Sequence, residues 1–272
     1  MKKNASIEFT DENIQKLFGF EDAESEPIER LKEYYFKTET YSRVTSDLPI
    51  RILVGHKGVG KSALFKIAIS EDQENGKLPI LIKPDDIAEL GKSDENFLLK
   101  IRQWKYGLIK IIGSKVFNEF GISDEAVMTK LSQFGLKLIT YLTTSIKKFK
   151  NKIDLDASQM AVVENFLDHK KIIIYIDDLD RGWEGKKDDI LRLSALLNSI
   201  RDLSNENPGL SFRVSLRSDV YFLVRTSDES TDKIEGSVVW YSWTNHEILV
   251  MLIKRVLTFM GESANEQILF LL

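Results

Sequence analysis

An α/β fold built on a five-stranded parallel sheet is predicted by three features of this 272-residue chain. Five short apolar runs, at residues 50–54, 79–84, 171–176, 210–216 and 237–241, are separated by stretches of helical periodicity, the alternation that a parallel sheet with helices on its faces requires. A glycine-rich octapeptide, Gly55-His56-Lys57-Gly58-Val59-Gly60-Lys61-Ser62, directly follows the first run. A row of carboxylates, Asp177, Asp178 and Asp180, closes the third. Both features fall at the carboxyl ends of strands, where open α/β sheets bind their ligands.

The octapeptide has the spacing Gly, four residues, Gly-Lys-Ser, and each fixed position has a mechanical task in holding a triphosphate. Gly55, Gly58 and Gly60 allow positive φ and close approach, so that amides from His56, Lys57, Val59 and Ala63 can turn inward onto phosphate oxygens. The residues after it, 63–69, read as a helix whose positive end faces the same anion. Lys61 is expected to reach the β- and γ-phosphates, and Ser62 to place its hydroxyl on Mg²⁺. The sequence thus predicts a nucleotide site.

The run Lys171-Ile172-Ile173-Ile174-Tyr175-Ile176-Asp177-Asp178-Leu179-Asp180-Arg181 describes a buried parallel strand that presents acids at its end. Asp177 is the expected direct or indirect partner of Mg²⁺, since a hard cation beside phosphates takes oxygen ligands. Asp178 or Asp180 would orient or deprotonate an attacking water. The fourth run ends in Arg217-Ser218-Asp219, where Arg217 either senses the γ-phosphate or stabilises transition-state charge, or only pairs with Asp219 or a neighbouring acid.

The remaining elements follow from caps and periodicity. Phe9-Thr10-Asp11-Glu12 opens a short helix that stops at Phe18-Gly19-Phe20, and Ile28, Leu31, Tyr34 and Tyr35 mark a second within 21–37. Phe18 and Gly19 are candidates to fold over the nucleotide base, or they are only a helix stop. Two long amphipathic helices are expected in 94–150, one carrying Trp104 and one carrying Phe134, and a third at 157–167. A helix over 186–205 precedes the turn at Pro208-Gly209, and Thr244 or Asn245 caps another at 247–260. A Ser-x-x-Glu capping box at Ser263 and Glu266 then opens a helix ending in an apolar tail, which is expected to continue into further chain or to dock on a partner.

Composition narrows the chemistry. The chain has no cysteine, which removes disulfides, thiolate metal sites and thiol nucleophiles and suits the cytoplasm. A net charge of −4 argues against a surface given over to nucleic acid. The apolar runs are too short for a membrane span, and no apolar signal core follows Met1.

Residues 50–242 resemble the P-loop NTPase superfamily, in the branch with an extra strand between its two nucleotide motifs. Asp177-Asp178-Leu179-Asp180-Arg181 is similar to the signature of KAP-type P-loop NTPases, and Leu216-Arg217-Ser218-Asp219 to their strand-four sensor. Phe18-Gly19-Phe20-Glu21 resembles the nucleotide-lid motif of STAND ATPases and origin-recognition AAA+ proteins, and 240–255 the start of their lid helix, with Arg255 at an arginine of that motif. The resemblance implies a three-layer P-loop fold: a helical lead-in at 1–48, a core at 49–242 with a helical insertion at about 94–170, and a C-terminal lid beginning at 243–272. It also implies ATP and Mg²⁺ as ligands, slow hydrolysis, and a switch in signalling or phage defence that works through self-association or an effector. Arg181, Arg217 and Arg255 are candidates to sense the γ-phosphate. Asp178 stands where the family has a catalytic glutamate, and the membrane helices that KAP proteins often carry between the motifs have no counterpart here. A nucleic-acid-linked AAA+ remodeller and a scaffold that binds ATP without turnover are the alternatives.

Overall fold

Strand alternation decides which layer each side chain joins. A computed structural model of the protein describes residues 10–20, 22–91, 96–122, 137–149, 157–227 and 229–261. Its elements run α1 (Asp11–Phe18), α2 (Ile28–Tyr34), α3 (Glu39–Thr45), β1 (Ile50–Gly55), α4 (Lys61–Glu74), β2 (Leu78–Ile82), α5 (Phe97–Glu119), α6 (Leu138–Phe149), α7 (Ala157–His169), β3 (Ile172–Ile176), α8 (Lys187–Glu206), β4 (Leu210–Arg217), α9 (Ser218–Ser227), β5 (Val238–Tyr241) and α10 (Asn245–Phe259). Short 3-10 turns at Pro84–Ile87 and Glu229–Ser237 complete the path.

The five strands form one parallel sheet in the order β2-β3-β4-β1-β5. In β3 all five residues are buried, so both faces must be covered. Ile172, Ile174 and Ile176 point into a core shared with α5 to α9, whereas Ile173 and Tyr175 point into a second core with α2, α3 and α4. Three layers result, with the sheet in the middle. The strand β4 lies between β1, which carries the glycine-rich loop, and β3, which carries the acids. This sheet order, with the loop after β1, is the P-loop NTPase fold that the motifs imply.

Local chemistry sets most boundaries. Asn96 caps α5 by accepting the Leu99 amide at 3.0 Å, and Thr244 and Glu247 form a reciprocal capping box on α10. The helix expected over 21–37 is shorter, because Pro27 sits at the N-cap of α2 with extended ψ and the chain before it turns. Two helices, α3 and α9, were not anticipated. The second begins on the residue after β4 ends, with no linker to announce it. The first half of the second long helix, with Phe134, and the capping box at Ser263 lie outside the described residues. No described helix is long and apolar enough to cross a membrane.

One buried cation ties the lead-in to the sheet. Arg213, in the middle of β4, is almost fully enclosed and donates to the carbonyls of Ser46 at 2.7 Å, Leu48 at 2.9 Å and Phe212 at 3.0 Å. Burial holds its pKa below the ordinary arginine value. The bonds fix the entry of the chain into β1, immediately upstream of the loop. Arg213→Met, which keeps the volume but leaves these carbonyls without a donor, is expected to cost about 3 kcal/mol in urea unfolding. A loss within the roughly 0.5 kcal/mol of an ordinary surface change would remove this anchoring role.

Candidate nucleotide site

The glycine-rich loop is held open by backbone conformations that only its sequence allows. Gly58 and Gly60 have φ of 79° and 100°, in the left-handed region. Gly60 is the N-cap of α4 and offers no side chain, so the first amides of the helix have no side-chain acceptor. Gly55 ends β1 beneath the loop, where a Cβ would stand 2.7 Å from the Tyr241 carbonyl oxygen. The strand β5 comes that close because Gly55 is in register with Tyr241 on one side and Arg217 on the other. Beyond β5, the Trp243 indole donates to the Val59 carbonyl at 2.9 Å.

Lys61, the first residue of α4, turns back across the loop and donates to the carbonyls of Gly55 and His56, both at 3.0 Å. Burial lowers its pKa, and Asp180 and Asp177 oppose that shift, so the ammonium faces the acidic edge of β3. His56 shares a 3.2 Å contact with the Ser218 hydroxyl at the start of α9. Lys57 is exposed at the loop's crest, and Ala63 packs into the core under α4.

Ser62 and Asp177 line one cavity of about 320 Å³, together with Phe65, Lys66 and Asp178. Asp177 Oδ1 accepts from the Asp178 amide at 2.9 Å and from the Ser215 hydroxyl on β4. Asp178 has φ of 58°, uncommon for a residue with a side chain. Its carboxyl lies 3.3 Å from Arg181 Nε. Burial, and then Asp180, push the Asp178 carboxyl above the usual range, against the pull of Arg181. Arg217 grips both oxygens of Asp219, at 3.1 and 2.6 Å, and reaches Asp180 at 3.4 Å.

The arrangement suits a phosphate chain with Mg²⁺. The Ser62 hydroxyl and the Asp177 carboxylate share one cavity, and the start of α4 beside it carries first-turn amides without a side-chain cap, two left-handed glycines and Lys61. Among the described residues no group of three or more His, Cys, Asp or Glu could hold a metal alone. A magnesium ion in such a site takes one or two protein oxygens and fills its octahedron with phosphate and water. Ser62 and Asp177 are the oxygens that would serve.

Phe18 and Gly19 are placed elsewhere. Phe18 is 50% exposed, and neither residue lines the cavity that holds Ser62 and Asp177. The same N-terminal loop reaches that cavity through Ala23 and Glu24 instead. It is fastened by three residues that sequence reasoning passed over or assigned otherwise. Lys66, on α4, donates to the carbonyls of Ala23, Glu24 and Glu26 at 3.0, 2.9 and 2.6 Å. The buried Glu26 carboxylate accepts the Phe20 amide at 2.7 Å and pairs with Arg30 at 3.2 Å. Arg255, on α10, donates to the Phe18 carbonyl and stacks 4.2 Å over the Tyr34 ring. No periodicity marks Lys66, because its partners lie about 40 positions away.

No protein-family profile matches the sequence, and no curated protein matches it. Among solved structures, the chain resembles a Walker-type ATPase of Pyrococcus abyssi at 16% identity and a TM-score of 0.45, over 88% of this chain and 62% of that one. The chain therefore spans less than two thirds of that protein's length. The fold assignment rests on sheet order and loop geometry.

Two measurements check this geometry. Because the folded state favours neutral Asp178, its stabilising contribution is complete below the ordinary value of 3.8 and is lost as pH rises through the raised one. Asp178→Asn, which tolerates the left-handed backbone, should melt higher than the parent at pH 7, and the gap should close as pH falls below about 4. Equal melting temperatures at pH 7 would contradict the assigned burial. Arg255→Ala should speed hydrogen exchange of the Phe20 amide about tenfold, equivalent to losing one charged hydrogen bond of ~1.4 kcal/mol. Unchanged exchange would mean that α10 does not hold the loop.

Proposed function

We propose that this protein binds ATP with Mg²⁺ and hydrolyses it slowly, as the switch domain of a larger signalling or defence system. The observation that carries the reading is the single cavity into which the helix after the glycine-rich loop brings Ser62 and the end of β3 brings Asp177. In this reading the amides of 55–63 and the Lys61 ammonium take the phosphates. Lys61 is preorganised for this, because its two present acceptors are carbonyls of the same loop. Ser62 and Asp177 hold Mg²⁺, which when bound neutralises charge between the β- and γ-phosphates. The Ser215 hydroxyl fixes the Asp177 oxygen that it donates to.

Asp178 and Asp180 remain the candidates to orient water. Asp178 combines a raised pKa with a place in the cavity wall, the properties expected of a group that accepts a proton. Asp180 is drawn toward Arg217. Arg217, paired with Asp219 and Asp180, remains a candidate to sense the γ-phosphate or stabilise transition-state charge. ATP is preferred to GTP, because the sequence has no Asn-Lys-x-Asp or Thr-Lys-x-Asp motif to read guanine. The division into a lead-in at 1–48, a core at 49–242 and a lid from 243 belongs to the same proposal. So do the relation to KAP ATPases, which rests on 177–181 and 216–219, and the relation to STAND ATPases, which rests on 18–21 and 240–255.

Lys61→Ala should abolish binding of a fluorescent ATP analogue, and unchanged affinity would overturn the site. Asp178→Asn should keep binding and lower single-turnover hydrolysis by at least about 100-fold, within the range for a lost general base. If the parent protein binds ATP but shows no single turnover, the non-hydrolysing scaffold is the better reading.

A further inference from the structure

A second cavity, of about 360 Å³, opens on the far side of the acidic edge and is lined by side chains to which the nucleotide reading gives no task. Its walls come from the 3-10 turn after β2, from α5, from the turn after β3 and from α8. They are mainly apolar, with Ile87, Leu179, Leu193 and the rings of Trp104 and Trp183. Two features set it apart from an ordinary packing gap.

The first is Arg192. Its Nε donates to the Leu90 carbonyl at 2.8 Å and one terminal nitrogen to those of Ile87 and Ala88 at 2.9 and 3.1 Å. All three partners are neutral carbonyls, and among the described residues no carboxylate lies within ion-pair distance of it, although Asp189 and Glu89 are near enough to oppose the lowering of its pKa by burial. The other terminal nitrogen has no acceptor among the described residues. The guanidinium stands 5.7 Å over the Trp104 ring, a rigid cation on an aromatic plane. The second is Trp104 itself, 1% exposed, whose indole N–H lies against Gly91 and has no acceptor among the described residues. A buried donor left unpaired is costly, and few native side chains carry one without a reason.

Arg181 completes the cavity's cationic side and, with Pro84 and Asp85, also lines the cavity of Ser62 and Asp177. Of the two carboxylates in the wall, Asp189 is engaged by the amides of Glu184 and Lys186, both at 3.1 Å, and Asp85 is exposed at the rim. A fixed guanidinium above an aromatic ring, a second arginine and an apolar floor suit a ligand with an anionic head and a flat apolar body. We infer that this cavity is a binding site for a small aromatic carboxylate or phosphate monoester, held by Arg192 and Arg181 against Trp104. The site stands independently of ATP binding, and Pro84, Asp85 and Arg181 are the wall that it shares with the Ser62–Asp177 cavity.

The test is a titration of the 272-residue protein with benzoate, phenyl phosphate and the neutral benzyl alcohol, following the Trp104 indole ¹H–¹⁵N resonance. Loss of that signal in Trp104→Phe assigns it. At least one anion should shift the resonance saturably, and benzyl alcohol should bind at least about tenfold more weakly, the loss expected when a charged hydrogen bond is missing. The relative strength of benzoate and phenyl phosphate distinguishes a carboxylate site from a phosphate site. Arg192→Gln should weaken the anion at least tenfold. Because that change also removes donors from three carbonyls, Ala88→Leu, which keeps both arginines and fills the cavity from its wall, serves as a second block and should abolish the shift. Absence of a saturable shift from either anion, equal binding of benzyl alcohol, or retained binding in Ala88→Leu would each overturn the proposal. A phenyl phosphate shift that disappears in Lys61→Ala would belong to the glycine-rich loop and would overturn it as well.

Discussion

The register of β4 between β1 and β3 is the constraint on which the candidate site depends. Pairing of Gly55 with Arg217 and of Ile176 with Val214 brings the loop, the arginine and the acids to one edge. Because side chains alternate, a slip of one residue would send Ser215 away from Asp177 and carry Phe212 and Val214 out of the core under α5 and α8. Fully buried strands cannot accept that exchange. The hydrophobic layering that stabilises the sheet therefore also fixes the oxygen of Asp177 and the position of Arg217. Stability and site geometry have a common origin here, since Arg213 on the same strand holds the chain that enters β1.

The parts of the site legible in the sequence are those whose chemistry is local. Gly55 to Ser62 specify their own backbone, and Asp177 follows its strand directly. The parts that were not legible are brought together by sheet order. Trp243 supports Val59 across 184 positions, and Ser215 reaches Asp177 across 38. Tyr241 read only as a strand residue, yet its carbonyl is what makes a Cβ impossible at Gly55. Asp219 as a partner of Arg217 is legible as its near neighbour in sequence, whereas Asp180, 37 positions away, is brought to it by sheet order. The helix α9 escaped notice for a related reason: its first residue also belongs to the strand-end motif, so strand and helix share one signal.

The two sides of the cavity differ in construction. The inner side is made of the start of α4 at Ser62 and the end of β3 at Asp177 and Asp178, both set in place by the paired sheet. The N-terminal side is a loop held by charged side chains, Lys66 from α4, Glu26 from its own segment and Arg255 from α10. Charge-assisted bonds of this kind contribute about 1.5–3 kcal/mol each and can be exchanged singly, unlike a buried strand. That makes the loop the softer wall. It also joins two helices far apart in sequence, since Lys66 stands one turn beyond Ser62 and Arg255 stands on the helix after β5.

This connection defines what a ligand at the Ser62 corner can do. A ligand shifts a conformational equilibrium only by the difference between its affinities for the two states. Contacts with Ser62, Lys61 and Asp177 alone would be nearly the same whether the N-terminal loop is fastened or released, and would shift nothing. A ligand that also meets Ala23 or Glu24, which line the same cavity, binds the two states differently. The loop is tied through Phe18 to Arg255, so that difference is transmitted to α10. Coupling between the candidate site and the C-terminal helix therefore depends on whether the bound molecule extends beyond the phosphate cradle to the loop, and the carbonyls held by Lys66 are where its strength is set.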